Sequence, residues 1–201
     1  MPVKHYGNGF YIGLGAGAGI PTQAISEGYN PGLSVQVPIG WDSPNGPLGL
    51  RVNLGYTRLD SRSTFRNTGS TTGVGFGSSG SAFVANNDPQ IWSALADLKL
   101  RFPFSGHYEG ATTGLYAVGG GGVNYFRDYN TTFALTNPEF NNGSSVTSSK
   151  TSLTRGALNA GGGLSLGFGM TELFLESRYV TTFTEGRRAS YVPIILGLTF
   201  R

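Results

Sequence analysis

Six charged side chains sit inside otherwise apolar, alternating stretches: Arg51, Asp97, Lys99, Arg101, Glu176 and Arg178. Asn53 and Asn159 hold equivalent positions in stretches of the same kind. Residues two apart on a strand share a face, so each of these polar groups faces away from its greasy neighbours. Opposite charges gathered on one side of several strands either line an ion path or pair with one another and fill the space. Buried charges are tolerated when paired. The expectation is a structural salt-bridge network, with an ion path as the alternative.

Other chemistry has less to stand on. The histidines, His5 and His107, fall in the first residues and in a turn, away from any serine and carboxylate on a strand. That leaves no catalytic constellation of the Ser-His-Asp kind. Glycine runs such as Gly15-x-Gly17-x-Gly19 and Gly73-x-Gly75-x-Gly77 lack the helix that a dinucleotide site needs after them. No cysteine is present, so no disulfide or thiolate metal site can form. A net charge of +3 with no Lys/Arg cluster gives no footprint for nucleic acid. No cofactor, no metal and no enzyme activity are expected.

The elements that position the charges are strands. In Tyr191–Phe200 the apolar residues Val192, Ile194, Leu196, Leu198 and Phe200 recur with a period of two. Eight such segments can be laid out, at about 10–20, 33–41, 48–59, 91–102, 114–126, 154–168, 172–182 and 191–200. The fifth is blurred by Gly119–Gly122, and placing Asn124 inward sends Leu115, Ala117, Val123 and Tyr125 outward. Pro38 removes a ladder donor from the second segment and predicts a bulge there. Long polar links at 61–90 and 127–152 alternate with short ones. So apolar a last strand needs a partner on both edges, and the first strand is the one left. Closing last onto first leaves no edge. The fold class is all-β: an eight-stranded antiparallel up-and-down transmembrane β-barrel in one domain, 1–201.

Which solvent the wall meets follows from charge. Only 12% of residues are charged, and the mean hydropathy is −0.10. The outward residues picked out on these segments, such as Leu48, Leu50, Val52, Leu54 and Tyr56, carry no charge, whereas a Lys or Arg facing lipid at mid-depth costs about 2–4 kcal/mol. A soluble ligand-binding barrel would reverse the two faces. Aromatic residues gather towards the strand ends: Phe10, Trp41, Phe102, Phe168 and Phe200 at one, Tyr56, Trp92, Tyr125, Tyr179 and Tyr191 at the other. Two such belts are the interfacial girdles of a membrane barrel.

The closing strand, with alternating apolar residues and Phe200 near its end, resembles that of bacterial outer-membrane β-barrels. Leu173-Phe-Leu-Glu-Ser-Arg-Tyr179 looks like the Glu-x-Arg-Tyr strand of the small OmpA/OmpX-type barrels. The resemblance implies an outer-membrane location among phospholipid and lipopolysaccharide. It also implies recognition of the last strand by the barrel assembly machinery. Arg201 departs from the family, which usually stops on the aromatic residue. Residues 1–9 lack the apolar core of a signal peptide, so the sequence reads as a mature form.

Function is then expected at the surface. Phe65, Phe76 and Phe83 in one long link, and Tyr129, Phe133 and Phe140 in the other, are aromatic groups among small polar residues. They suit contact with a surface ligand or protein partner. A narrow porin-like channel is the alternative, and an outer-membrane lipid-modifying enzyme the third reading. The charge-free wall makes a direct prediction: the folded protein requires detergent or lipid. Unheated and boiled samples should run at different positions on a denaturing gel, and a folded monomer in plain buffer would sink the membrane reading.

Overall fold

Period-two alternation puts one face of each segment in hydrocarbon and the other in a narrow interior, and the barrel strands obey it. The computed structural model describes residues 9–23, 29–61, 64–66, 81–86, 88–129, 131–136, 145–148, 151–183 and 189–201. Among these, every regular element is a strand: β1 (Phe10–Gln23), β2 (Tyr29–Asn30), β3 (Gly32–Asp42), β4 (Leu48–Arg58), β5 (Asp60–Ser61), β6 (Thr64–Arg66) and β7 (Ser81–Asn86). They continue with β8 (Gln90–Pro103), β9 (Gly114–Tyr129), β10 (Thr131–Thr136), β11 (Ser145–Ser148), β12 (Thr151–Phe168), β13 (Thr171–Thr182) and β14 (Ala189–Phe200).

Eight of these close into an antiparallel barrel, in the order β1-β14-β13-β12-β9-β8-β4-β3. The last strand zips onto the first from Ile12↔Phe200 to Gln23↔Ala189. Closure leaves no open edge, which hydrocarbon demands because it offers no water to bond. Short turns join β3 to β4, β8 to β9 and β12 to β13 at one end. The longer links leave the barrel at the other end.

Two expectations need correction. Residues 61–90 and 127–152 are not plain loops. Four strands within them form a separate sheet, β11-β10-β7-β6. Its central pairing runs from Thr131↔Asn86 to Thr136↔Ser81 and joins one long link to the other. A smaller ladder pairs β2 with β5. Pro38 makes no bulge either: the β1–β3 register is the same on both sides of it, from Ile12↔Ile39 to Gly15↔Gln36, with the positions between left unpaired. The missing N–H is absorbed by omitting bonds without adding a residue.

The outer wall is a continuous apolar surface. Ile12, Leu14, Leu50, Leu54, Leu98, Leu158, Leu164 and Leu196 are all exposed on it. A patch of that extent far exceeds what a soluble monomer leaves to water. Its place is a bilayer.

Glycine has a specific role on β9. A Cβ on Gly120 would collide with the carbonyl oxygen of Ala96 on β8, so strand approach excludes any side chain there. Gly119 faces the other way and would meet nothing closer than the Asn159 carbonyl oxygen at 3.8 Å. Gly119→Val should therefore leave the melting temperature of the detergent-solubilised barrel within a few degrees. Gly120→Val should abolish the heat-modifiable band, and equal behaviour of the two variants would contradict this account.

Candidate functional site

The inward faces of the barrel strands converge in layers. At mid-barrel, Arg51 from β4, Asp97 from β8, and Glu176 and Arg178 from β13 form a closed ring of alternating charge. Arg51 reaches Asp97 at 3.2 Å and Glu176 at 2.7 Å, and Arg178 reaches the same two carboxylates at 3.1 and 2.5 Å. All four are buried. Arg51 and Arg178 each serve both carboxylates, so no charge in the ring lacks a partner.

Neutral amides brace it. Arg178 donates to Gln36 Oε1 at 2.9 Å, and Asn53 donates to the same oxygen at 3.2 Å. Asn159 donates to Asp97 Oδ1 at 2.8 Å. Asp97 and Asn159 both stand opposite Gly120, one on each side of β9. The bare glycine lets that hydrogen bond pass over an intervening strand.

A second charged layer lies towards the short turns. Lys99 meets Asp42 at 3.3 Å and lies between the rings of Tyr11 and Tyr116, 4.8 and 4.9 Å from their centroids. Arg101 is 3.7 Å from Asp42 and also donates to the carbonyl oxygens of Ser43, Gly46 and Tyr108. One guanidinium thus holds two of the short turns. Arg201 closes the layer, 2.5 Å from Asp42 and 3.0 Å from Glu172. Burial works against its charge, but Asp42 and Glu172 outweigh burial and raise its pKa.

Lys99 and Arg101 therefore pair with Asp42, not with Asp97 and Glu176. Asp42 reads as turn chemistry beside Pro44 and Asn45, yet it continues the inward series Gln36, Pro38, Gly40. Glu172 likewise precedes Phe174 and Glu176 on one face. Extending the first series by one pleat would have found Asp42, and following the second back to the start of its segment would have found Glu172. Arg201 is two residues beyond the inward Thr199, so what looks like a departure from the family is a lumen residue.

Towards the long-link end the lumen holds an apolar cluster beside buried polar groups such as Asn124 and Thr182, and the expectation of a polar interior missed that cluster. Leu59, Ile91, Leu95, Phe126, Val180 and Tyr191 pack together there, with Tyr29 in the same cluster. Tyr191, expected in the outer girdle, is 3% exposed and belongs to this cluster. The alternation of β14 places Tyr191, Pro193 and Ile195 inside. A smaller cluster of Tyr116, Val118, Phe174 and Ile195 lies deeper. Inward and outward apolar residues occupy both faces of these strand ends, and period two has nothing to sort there.

The other girdle residues face out. Phe10, Trp92, Phe102, Tyr125, Phe168, Tyr179 and Phe200 are exposed, and Trp41 and Tyr56 are partly so. Of the loop aromatics, Phe65 lies on β6, Phe83 on β7, Phe133 on β10 and Tyr129 at the end of β9. Phe65 is directly opposite Phe83 in the ladder. Phe76 and Phe140 lie outside the described residues, as does His5. His107 is exposed in its turn, its Nδ1 2.8 Å from the Ser105 carbonyl oxygen. That is a local turn contact, not a nucleophile–base pair. No group of His, Cys, Asp and Glu suited to a metal ion occurs among the described residues.

An all-antiparallel barrel with charges inside and a bare apolar wall outside has known counterparts. The fold is that of the small bacterial outer-membrane barrels. Neisserial surface protein A (NspA) matches at 15% identity and a TM-score of 0.52, over 96% of each chain. Ail, the attachment invasion locus protein of Yersinia pestis, matches at 13% and 0.54, over 96% of this chain and 98% of its own. A major outer membrane protein from Thermus thermophilus matches at 14% and 0.53, over 95% and 98%. No protein-family model matches the chain, and no curated protein matches its sequence.

The ring makes a sharp prediction about its carboxylates. Glu176→Gln leaves two buried guanidinium groups sharing Asp97 alone. Losing one partner of a buried pair costs about 3–5 kcal/mol. The variant should unfold at clearly lower urea concentration in lipid vesicles, and an unchanged midpoint would contradict the pairing.

Proposed function

We propose that the protein is an integral outer-membrane barrel with a shut lumen, and that it acts through its external face. What carries this reading is the stacking of three filled layers along one narrow interior. They are the apolar cluster around Leu59 and Tyr191, the four-charge ring at mid-depth, and the Asp42 cluster at the periplasmic mouth. An eight-stranded barrel has no width left over once such side chains occupy it.

With the wall in lipid and the lumen occupied, the links between strands are what remains to meet a partner. The periplasmic turns are short, and Arg101 ties two of them to the barrel. The external segments are long and joined by the β7–β10 ladder, so they present one surface and not two separate loops. Loops longer than closure requires are typically functional. One structural counterpart, Ail, is itself described as an attachment invasion locus protein, which agrees with an adhesive or ligand-contacting role here.

The experiment is to delete 64–86, which removes β6 and β7, and to follow folding and surface attachment together. The barrel should remain heat-modifiable, because loop length weighs little on closure. Attachment of expressing cells to host matrix or cells should fall to background. Attachment that survives loss of both external segments would overturn the reading, and large steady currents from the unmodified protein in planar bilayers would identify a channel.

A further inference from the structure

The two charged layers inside the barrel differ in how completely their donors are used. In the mid-barrel ring every side-chain nitrogen of Arg51 and Arg178 donates to a carboxylate or to Gln36. In the layer by the short turns, the terminal nitrogens of Arg101 hold carbonyl oxygens of Ser43, Gly46 and Tyr108, and Nη2 of Arg201 holds Asp42 and Glu172. The Nε atoms of both arginines are buried without a hydrogen-bond partner among the described residues, and so is the hydroxyl of Tyr11. Buried donors are costly to leave unmet.

These three donors belong to one cluster. Asp42 Oδ2 lies 2.5 Å from Arg201 and 3.7 Å from Arg101. The guanidinium carbon of Arg201 is 5.3 Å from the centroid of the Tyr11 ring, and Lys99 Nζ is 4.8 Å from the same centroid. One buried acceptor is unmet as well: Asp42 Oδ1, which faces Gly49 on β4 so closely that a Cβ there would collide with it.

Charge points the same way. Among the described residues the layer sets the three cations Lys99, Arg101 and Arg201 against the two carboxylates Asp42 and Glu172. The rings beside Lys99 and the turn carbonyls on Arg101 offer partial negative charge. The two Nε atoms lie beyond those contacts. The layer is therefore short of one negative charge at the place where donors are to spare.

We propose that this layer is a binding site for one small monovalent anion of halide size, held by the Nε–H groups of Arg101 and Arg201 and by the hydroxyl of Tyr11. The ion enters from the short-turn mouth, where the partly exposed Tyr108 ring stands 5.6 Å from the guanidinium carbon of Arg101. An eight-stranded interior already filled by side chains admits an ion of that size and excludes a sugar phosphate or a nucleotide. The anion brings the five cations and four carboxylates of the two layers to neutrality. A water molecule also satisfies the donors, but it leaves the surplus charge in place. The site concerns the interior alone and does not depend on the protein acting through its external face.

The test uses the whole chain refolded in zwitterionic detergent micelles and freed of halide. Sodium chloride or bromide is then titrated in, with sodium gluconate holding the ionic strength constant, and thermal unfolding is followed on unheated and heated gels. Chloride and bromide should raise the melting temperature in a saturable way, and crystals grown in bromide should show an anomalous scatterer beside Arg101 and Arg201. Tyr11→Phe keeps the ring beside Lys99 and removes one donor, so it should weaken the apparent halide affinity about tenfold. Lys99→Met removes the surplus charge at similar side-chain length and should abolish the response. Equal melting temperatures in chloride and gluconate would identify water in the layer and overturn the proposal. A halide affinity that stays within about twofold in both variants would place the ion elsewhere and overturn the site. Should Lys99→Met fail to fold, Tyr11→Phe and the bromide crystals decide the matter alone.

Discussion

A charge removed from water must find its opposite close by, and that constraint organises this molecule. Among the described residues, the two charged layers inside the barrel hold five cations: Arg51, Lys99, Arg101, Arg178 and Arg201. Four carboxylates face them: Asp42, Asp97, Glu172 and Glu176. They do not form one mixed pool. The mid-barrel ring is neutral in itself, and the excess of one positive charge falls in the layer nearest the short turns. There Asp42 serves three cations, the Tyr11 and Tyr116 rings flank Lys99, and turn carbonyls take up Arg101. Quadrupoles and peptide dipoles supply the negative partners that a missing carboxylate would have supplied.

Filling the interior with long polar side chains requires places where the wall itself is thin. The inward glycines provide them. Gly161 lies against the stem of Arg178, Gly163 and Gly40 lie against the rings of Tyr116 and Tyr11, and Gly15 and Gly197 lie under Phe174. Glycine in a strand costs conformational entropy and packs nothing. Here the packing comes from across the lumen. The abundance of glycine and the crowding of the interior are two views of one arrangement.

Much of this was legible from residues two apart. The eight segments, their facing, the closure of last strand on first and the bare outer wall all follow from a period that lipid on one side enforces strictly. The inward placement of Asn124 came through even where glycines blurred the pattern. Legibility failed in places that lack such contrast. Tyr191 sits where both faces of the strand are apolar, so periodicity could not tell a girdle from a lumen residue. Asp42 and Glu172 were hidden by lying next to turns, where acidic residues are commonplace. The pairing of Lys99 with Asp42 in preference to Asp97 depends on the stagger between strands, which no single segment encodes. The ladder between the two long links joins residues far apart in polar sequence, where alternation is weak and nothing marks a partner.

The clamp made by Arg201 has a consequence for assembly. In the sheet before it closes, β14 and β1 are opposite edges, and Asp42 on β3 lies beside β1 at the far edge from Arg201. The two meet only when the seam between first and last strands has zipped. Glu172, by contrast, is on the strand next to β14 and is within reach beforehand. The bond between Arg201 and Asp42 is thus a register mark written across the seam. A closure slipped by even one pair would carry Arg201 away from Asp42, leaving Asp42 to Lys99 and Arg101 and Arg201 to Glu172 alone. Hydrogen bonds alone would zip almost any alignment of two such apolar strands. A single ion pair at the seam's end gives the chain a reason to prefer one.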